Sequence, residues 1–370
     1  MAEGDDKAVE GHYEVLEPAG DGGMAKVYRA VTRGAAGFQR PVAIKRVHEH
    51  LAGSTEFVRM FIEEARVCSE LDHPNIVHVH DFGRDSHGYY LVMEWIDGLH
   101  LGQYAHAFVK RAVPVPYRFA AAIGAQVLAG LAEAHERVGA DGQPAPVFHR
   151  DVTPHNILLS VTGVAKLTDF GLARAMDRAR MTSPDVGKGK LRYLAPELVQ
   201  GKHASAQSDI YALGIVLWET LTGERLYAGE TDQERIRKVR NAEVPPLADK
   251  RKDLPAKLVA AVHRALAAEP AARFESAELM GRELLKVIGH EPLSARELGQ
   301  SVVDARLALG LTPRSVRAPA SPGPVQSREV VMHRMVVVKP PSEGQPLELR
   351  VGINQNGAVG APRSVWPRGT

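Results

Sequence analysis

At 370 residues the chain exceeds one ordinary core, so two or more packed units are expected. Its 44% apolar and 24% charged residues sit near the globular average and argue against wholesale disorder, a fibrous repeat or a coiled coil. The formal charge of +2 hides an asymmetry: residues 313–370 hold 8 Lys/Arg against 3 Asp/Glu, which leaves residues 1–312 with three more acids than bases. Bulk nucleic-acid binding by the main body is therefore not expected. The single cysteine, Cys68, excludes an intrachain disulfide framework and a Cys-built zinc site, and points to a reducing compartment, the cytoplasm. The N-terminus is acidic and polar, unlike a secretory signal, and the longest apolar-rich stretch, 119–132, is broken by Gln126 and too short to span a bilayer. No direct membrane anchor is expected.

After a loose arm over 1–11, short β-branched or alternating segments at 13–18, 26–32, 42–47, 76–82 and 89–95 surround one helical stretch, 56–71. Residues 12–96 thus read as a mostly β lobe. In the helical stretch Phe57, Phe61, Glu64 or Ala65, Cys68 and Leu71 recur at spacings of three and four, and Ser54 or Thr55 stands where an N-cap would. Glu64 and Cys68 therefore share the inward face. From residue 97 to 290 the pattern turns helical: Phe119, Ile123, Val127 and Leu131 fall at every fourth position, and 210–221 is apolar nearly all round, the mark of a helix buried on every side. Two strand-like pieces, 157–160 and 165–168, lie between the helices. A helical extension follows at 291–312, with its run over 294–309. Residues 313–370 hold 9 of the 24 prolines and read as a basic linker or solvated extension, in which 330–338 and 347–353 have the composition to pair as a short hairpin.

Three groups of residues carry chemistry. Gly20-Asp21-Gly22-Gly23-Met24-Ala25 joins two strands, a glycine-rich hairpin whose backbone N–H groups can approach phosphate oxygens, although a flexible hairpin tip would look the same. Val42-Ala43-Ile44-Lys45 ends an apolar strand on a cation that must find an anion or stay exposed, and Glu64, nineteen residues on, is the acid on the inward face; Glu63 is the neighbour to distinguish from it. His149-Arg150-Asp151-Val152-Thr153-Pro154-His155-Asn156, followed by an apolar strand, offers a carboxylate and an amide oxygen, and Asp169-Phe170-Gly171 supplies a second carboxylate eighteen residues after Asp151. Such oxygen donors suit Mg²⁺, which takes the rest of its shell from phosphate and water.

Together these motifs resemble the eukaryotic-type protein kinases, specifically the bacterial serine/threonine kinases, over about residues 12–288. The resemblance includes His73-Pro74-Asn75-Ile76-Val77, Leu194-Ala195-Pro196-Glu197, Ser208-Asp209-Ile210-Tyr211-Ala212-Leu213-Gly214, and Pro270 with Arg273, the late arginine that pairs with Glu197. It implies an α+β, bilobal fold with a small β-rich N-lobe holding one key helix and a larger helical C-lobe. It also implies transfer of the γ-phosphoryl of ATP to protein Ser or Thr hydroxyls, with Mg²⁺ as the ion and Mn²⁺ as its substitute. Gly20, Gly22, Gly23 and Ala25 would cover the nucleotide. Val27, Ala43, Met93 as gatekeeper, Glu94 to Ile96 as hinge, and Leu158 would hold the base. Lys45, held by Glu64, would bind the α and β phosphates; Asn156 and Asp169 would hold the metal; Asp151 would accept the substrate proton. Cys68 would belong to an apolar stack with Val79, His149 and Phe170. Arg150 would pair with a phosphate on Thr182 or Ser183.

The pattern is broken where most such kinases carry Lys two residues after the catalytic Asp. This chain has Thr153 there, and Lys190 where the family carries Thr before Ala-Pro-Glu, so Lys190 is expected to supply the missing charge. The rival reading is a pseudokinase scaffold that binds nucleotide or partner proteins without chemistry. Expected partners are ATP and protein substrates, with a homodimer as the arrangement for autophosphorylation in bacterial signalling. With Thr312, Ser315, Ser321 and Ser327 the basic, Pro-rich extension could be a docking or autophosphorylation segment, although a plain solvated extension is the expected reading.

Overall fold

The alternation of side chains along residue 39 to 47 sorts one strand into two faces. Val42 and Ile44 pack with Ala30, Tyr90 and Val92 on one side, whereas Ala43, Leu91 and Met93 pack with Phe61 and Ala65 on the other. Lys45 has the parity of Ala43, so the period of two alone turns it toward the helix that carries Glu64. The computed structural model in which this is seen describes residues 8–9, 12–22, 25–139, 141–170, 191–289 and 293–311.

The N-terminal strands are β1 (Ala8–Val9), β2 (Tyr13–Asp21), β3 (Ala25–Arg33), β4 (Gln39–Val47), β5 (Val79–Asp85) and β6 (Gly88–Glu94). They form one antiparallel sheet in the order β1-β2-β3-β4-β6-β5. The loose arm expected over 1–11 is corrected at β1, where Ala8 pairs with Glu14 and Val9 with Tyr13. Between β4 and β5 lie α1 (Glu49–Ala52) and α2 (Thr55–Ser69), the latter burying Phe61, Glu64, Ala65 and Cys68. Ser54 occupies the N-cap of α2 with no side-chain capping bond, so the expected hydroxyl cap is absent there. The strand expected from residue 76 starts only at Val79, because residues 75–77 leave the sheet. Val77 N–H donates to the Leu167 carbonyl and Leu167 N–H to the Asn75 carbonyl, tying the two lobes together.

The second lobe opens with β7 (Gly98–His100), α3 (Leu101–Lys110) and α4 (Tyr117–His135), followed by β8 (Ile157–Ser160) and β9 (Ala165–Leu167). β7, β8 and β9 make a small antiparallel sheet. Then come α5 (Pro196–Val199), α6 (Ala206–Thr222), α7 (Asp232–Arg240), α8 (Leu247–Lys250), α9 (Ala256–Ala265), α10 (Ala277–Ile288) and α11 (Ala295–Ala308). Every residue of α6 from Ser208 to Leu221 is buried, and this helix sits in a core shared with α3, α4, α9, α10 and α11. Arg273 closes the lobe by a two-pronged pair with Glu197, both N–O distances 2.7 Å, while its remaining donors reach the carbonyls of Gln207, Ala267 and Ala268. Among the described residues no helix is long and apolar enough to cross a membrane. Gly23, Gly171, Thr182, Ser183, Lys190, and the hairpin considered at 330–338 and 347–353 lie outside the described residues, as do Thr312, Ser315, Ser321 and Ser327.

Candidate active site

Lys45 and Glu64 meet beneath the sheet. The Lys45 ammonium donates to Glu64 Oε1 at 2.8 Å and to Asp169 Oδ1 at 2.7 Å, with the lysine and glutamate side chains only 4% and 1% exposed. Burial alone would lower the lysine pKa, but the charges of Asp169 and Glu64 outweigh it and hold the ammonium above its ordinary value. Lys45 therefore stays charged. Glu63 points away from this pair into solvent.

Asp151 lies in a loop whose shape is imposed by a buried acid two helices away. The Asp209 carboxylate, on the first turn of α6, accepts the backbone N–H groups of His149 and Arg150, both at 2.8 Å, and a bond from His135 Nε2 at 2.9 Å. Burial would raise the Asp209 pKa, yet these partners, His135 foremost, hold it below the ordinary carboxylate range. Arg150 has a positive φ of 64°, a left-handed conformation costly for a side chain with a Cβ, and its bond to Asp209 keeps it there. His149 Nδ1 accepts from Asp151 N–H at 3.3 Å, so its proton sits on Nε2, which donates to the Thr168 carbonyl at 3.0 Å. Burial keeps this imidazole neutral, its pKa below the usual histidine value.

Asn156 is aimed by the same loop. Its Nδ2 donates to the Asp151 backbone carbonyl at 2.9 Å and to Asp151 Oδ2 at 3.0 Å, which turns the amide oxygen the other way. Thr168 N–H donates to the Asn156 carbonyl at 3.0 Å, so Asn156 and Asp169 lie on adjoining segments. Asp169 itself has a positive φ of 65°. Thr153 is buried beside them.

Val27, Ala43, Met93, Ile96 and Leu158 join one apolar cluster between the sheet and β8. Gly20 and Gly22 lie in the β2–β3 hairpin, where Gly20 pairs with Val27 and Gly22 N–H donates to the Ala25 carbonyl. Added Cβ atoms would stand 3.9 Å from Val27 Cβ and 3.4 Å from the Ala25 carbonyl oxygen, so internal packing does not demand glycine at either place. Glu94 behaves differently from its neighbours. Its backbone N–H donates to the His78 carbonyl, and its carboxylate takes His78 N–H and the Lys166 ammonium.

A family model of the protein kinase domain matches residues 13–285. The chain belongs to the protein kinase domain family. Tyrosine-protein kinase MasK of Myxococcus xanthus is 37% identical over 268 residues, covering 72% of this chain and 42% of MasK. Serine/threonine-protein kinase PrkC of Bacillus subtilis is 37% identical over 278 residues, covering 75% of this chain and 41% of PrkC. The chain thus spans about two-fifths of the length of these relatives. The crystal structure of the PknI kinase domain of Mycobacterium tuberculosis superposes with a TM-score of 0.56 at 29% identity, over 77% of this chain and 99% of that one. The bilobal architecture is that of a protein kinase, with the cleft residues described above between the lobes.

Within this kinase domain Cys68 lies against Phe170, its Sγ 3.8 Å from the Phe170 carbonyl, and Phe170 packs on the His149 ring at a centroid distance of 4.5 Å. Burial, then the nearby Glu64 charge, push the Cys68 thiol well above its usual pKa, so it is an apolar filler and not a nucleophile. Two features of the kinase domain go beyond what the sequence analysis assigns. Asp209 stands there only within a matching motif; an acid beside a run that is apolar all round must collect donors, and that is the signal for its role. The sequence marks Glu94 only as part of the 94–96 hinge, and its pair with Lys166 has no local sign.

Proposed function

We propose that the chain is a serine/threonine protein kinase that moves the γ-phosphoryl of ATP to protein hydroxyls. The observation that carries this is the convergence of Lys45, Glu64 and Asp169 within 2.7–2.8 Å contacts beside the Asp151–Asn156 pair. An ammonium has three donors; two are directed at Glu64 and Asp169, and the third suits an α or β phosphate oxygen. The base would rest among Val27, Ala43, Met93, Ile96 and Leu158, next to the hinge, with Gly20, Gly22 and Ala25 over the phosphates.

Among the described residues no group of three His, Cys, Asp or Glu could hold a metal by itself. Asn156 and Asp169 offer two oxygen donors, which fits an ion completing its shell from phosphate and water, as Mg²⁺ does and Mn²⁺ can. Bound there, the ion would neutralise charge on the phosphate oxygens. The protein's own part is positional. Asp151 takes the proton of the acceptor hydroxyl as its oxygen bonds to the γ-phosphorus. The bond from that phosphorus to the β–γ bridging oxygen breaks, and ADP carries the electron pair away. Asn156 Nδ2 fixes the accepting carboxylate in place. Proton transfer of this kind contributes about 10²- to 10⁴-fold, the rest coming from orientation and charge neutralisation.

The same reading gives the chain protein substrates, a cytoplasmic place of action and phosphorylation of one copy by another. Radiolabelled ATP, Mg²⁺ and a generic protein acceptor test it, followed by acid hydrolysis of the labelled protein. Phosphoserine and phosphothreonine are expected. Label on tyrosine alone would move the chain to the class named for MasK, and nucleotide binding with no transfer would make it a scaffold.

A further inference from the structure

Helix α11 (Ala295–Ala308) lies beyond residues 13–285, the reach of the family model, yet it is built into the back of the cleft. Leu298, Val302 and Ala305 sit in the same core as Ile157 and Leu159 of β8 and Leu101, Tyr104 and Phe108 of α3. The approach is close enough to require glycine on both sides. A Cβ on Gly299 would fall 2.3 Å from the Val161 carbonyl oxygen, and one on Gly163, whose φ is +83°, would fall 1.8 Å from the Ala295 carbonyl oxygen. Polar contacts then fix the register of the helix. Tyr104 and Ser301 share a buried hydroxyl–hydroxyl bond of 2.7 Å, and Lys110 reaches the Ala308 carbonyl at 3.2 Å.

Arg306 follows Val302 by four residues, on the inward face, and is 7% exposed. Its Nη1 donates to Asp97 Oδ1 at 2.7 Å. Asp97 is the residue directly after Ile96, and its carbonyl accepts Val161 N–H at 2.8 Å. It therefore stands where the last strand of the N-lobe gives way to β7, which pairs with Leu158 and Leu159 of β8. The hinge is held from behind by a helix that is no part of the matched domain.

We infer that α11 is a working part of the nucleotide site, and that Arg306 is a positioning residue that braces the hinge through Asp97 and so sets the affinity for ATP. The inference rests on the kinase reading given above. The physical reason is preorganisation. A hinge that is already ordered gives up less freedom when a base binds against it, so loosening it weakens binding without altering groups that touch the transferring phosphoryl.

The test uses the full chain with Arg306→Met, which keeps the buried stem and removes the charge, and Asp97→Asn, whose side chain is 47% exposed and tolerates change if the first variant does not fold. Both are expected to raise KM and the measured Kd for ATP about fivefold while kcat at saturating ATP stays within about twofold. The double variant should be no worse than either single one, and Arg306→Lys should recover part of the affinity. A helix that only stabilises the fold would lower melting temperature and active fraction with KM unmoved in both variants, and that result overturns the inference alone. A wild-type chain that binds no ATP would instead overturn the kinase reading beneath it.

Discussion

Asp209→Asn is the substitution whose consequence the geometry defines most fully. One buried carboxylate serves the N–H groups of His149 and Arg150 and the His135 ring, with both oxygens in use. An amide keeps one acceptor oxygen and turns a donor toward the others. Losing one charge-assisted bond and leaving a buried N–H facing another donor costs about 2–4 kcal/mol. Arg150 holds a left-handed conformation, φ 64°, that a side chain with a Cβ adopts at a cost of roughly 1–2 kcal/mol. Once its tie to residue 209 weakens, that strain is relieved by moving the peptide that leads into Asp151. A displacement on the order of 1 Å at a reacting group is worth about 10²-fold in rate. The expected result is therefore a fall of about that size in kcat, together with easier unfolding in urea followed by tryptophan fluorescence, since buried Trp218 reports from the same helix. A variant with wild-type kcat and an unchanged urea midpoint would refute the claim that Asp209 shapes the catalytic loop.

Cys68 should resist a thiol reagent in the native chain over a period that labels the urea-unfolded chain completely; equal rates in the two states would contradict its buried, protonated condition. Stability should fall with acid in a defined window. Burial holds His149 below its ordinary value of 6.5 and His100 down to about 4, with His155 adding to the latter, so the unfolded chain takes up protons below pH 6.5 that the folded chain refuses. Stability is then complete above pH 6.5 and declines from there toward pH 4, below which protonation of Asp209 removes more. Urea midpoints that stay flat between pH 7 and 5 would contradict this. Lys190→Ala is expected to lose far more phosphoryl transfer than Thr153→Ala, and similar rates for the two would count against Lys190 supplying the charge that Thr153 lacks.

The parts of the fold that were legible in the sequence are those set by local periodicity. The period of two along β4 and the three-and-four spacing of α2 brought Lys45 and Glu64 face to face across nineteen residues, and the all-apolar run of α6 announced a helix with no solvent side. Less legible were contacts between segments far apart in the chain. Nothing near residue 76 says that its backbone will pair with Leu167 and delay the start of β5, and nothing near Ser54 says that its hydroxyl will make no cap. Arg306 did leave a trace, as a cation within a stripe otherwise marked by Leu298, Val302 and Ala305, but its partner Asp97 lies 209 residues away. Periodicity says which face is inward; it is silent about what waits there.

In the proposed function the Asp151 carboxylate receives a proton while other groups of the cleft hold ATP. Single-turnover transfer from radiolabelled ATP, measured beside equilibrium ATP binding for the wild type and Asp151→Asn, separates the two functions. Binding should be nearly equal in the two proteins while the transfer rate of the variant drops by about 10²- to 10⁴-fold. Transfer that survives the substitution undiminished would rule out Asp151 as the proton acceptor.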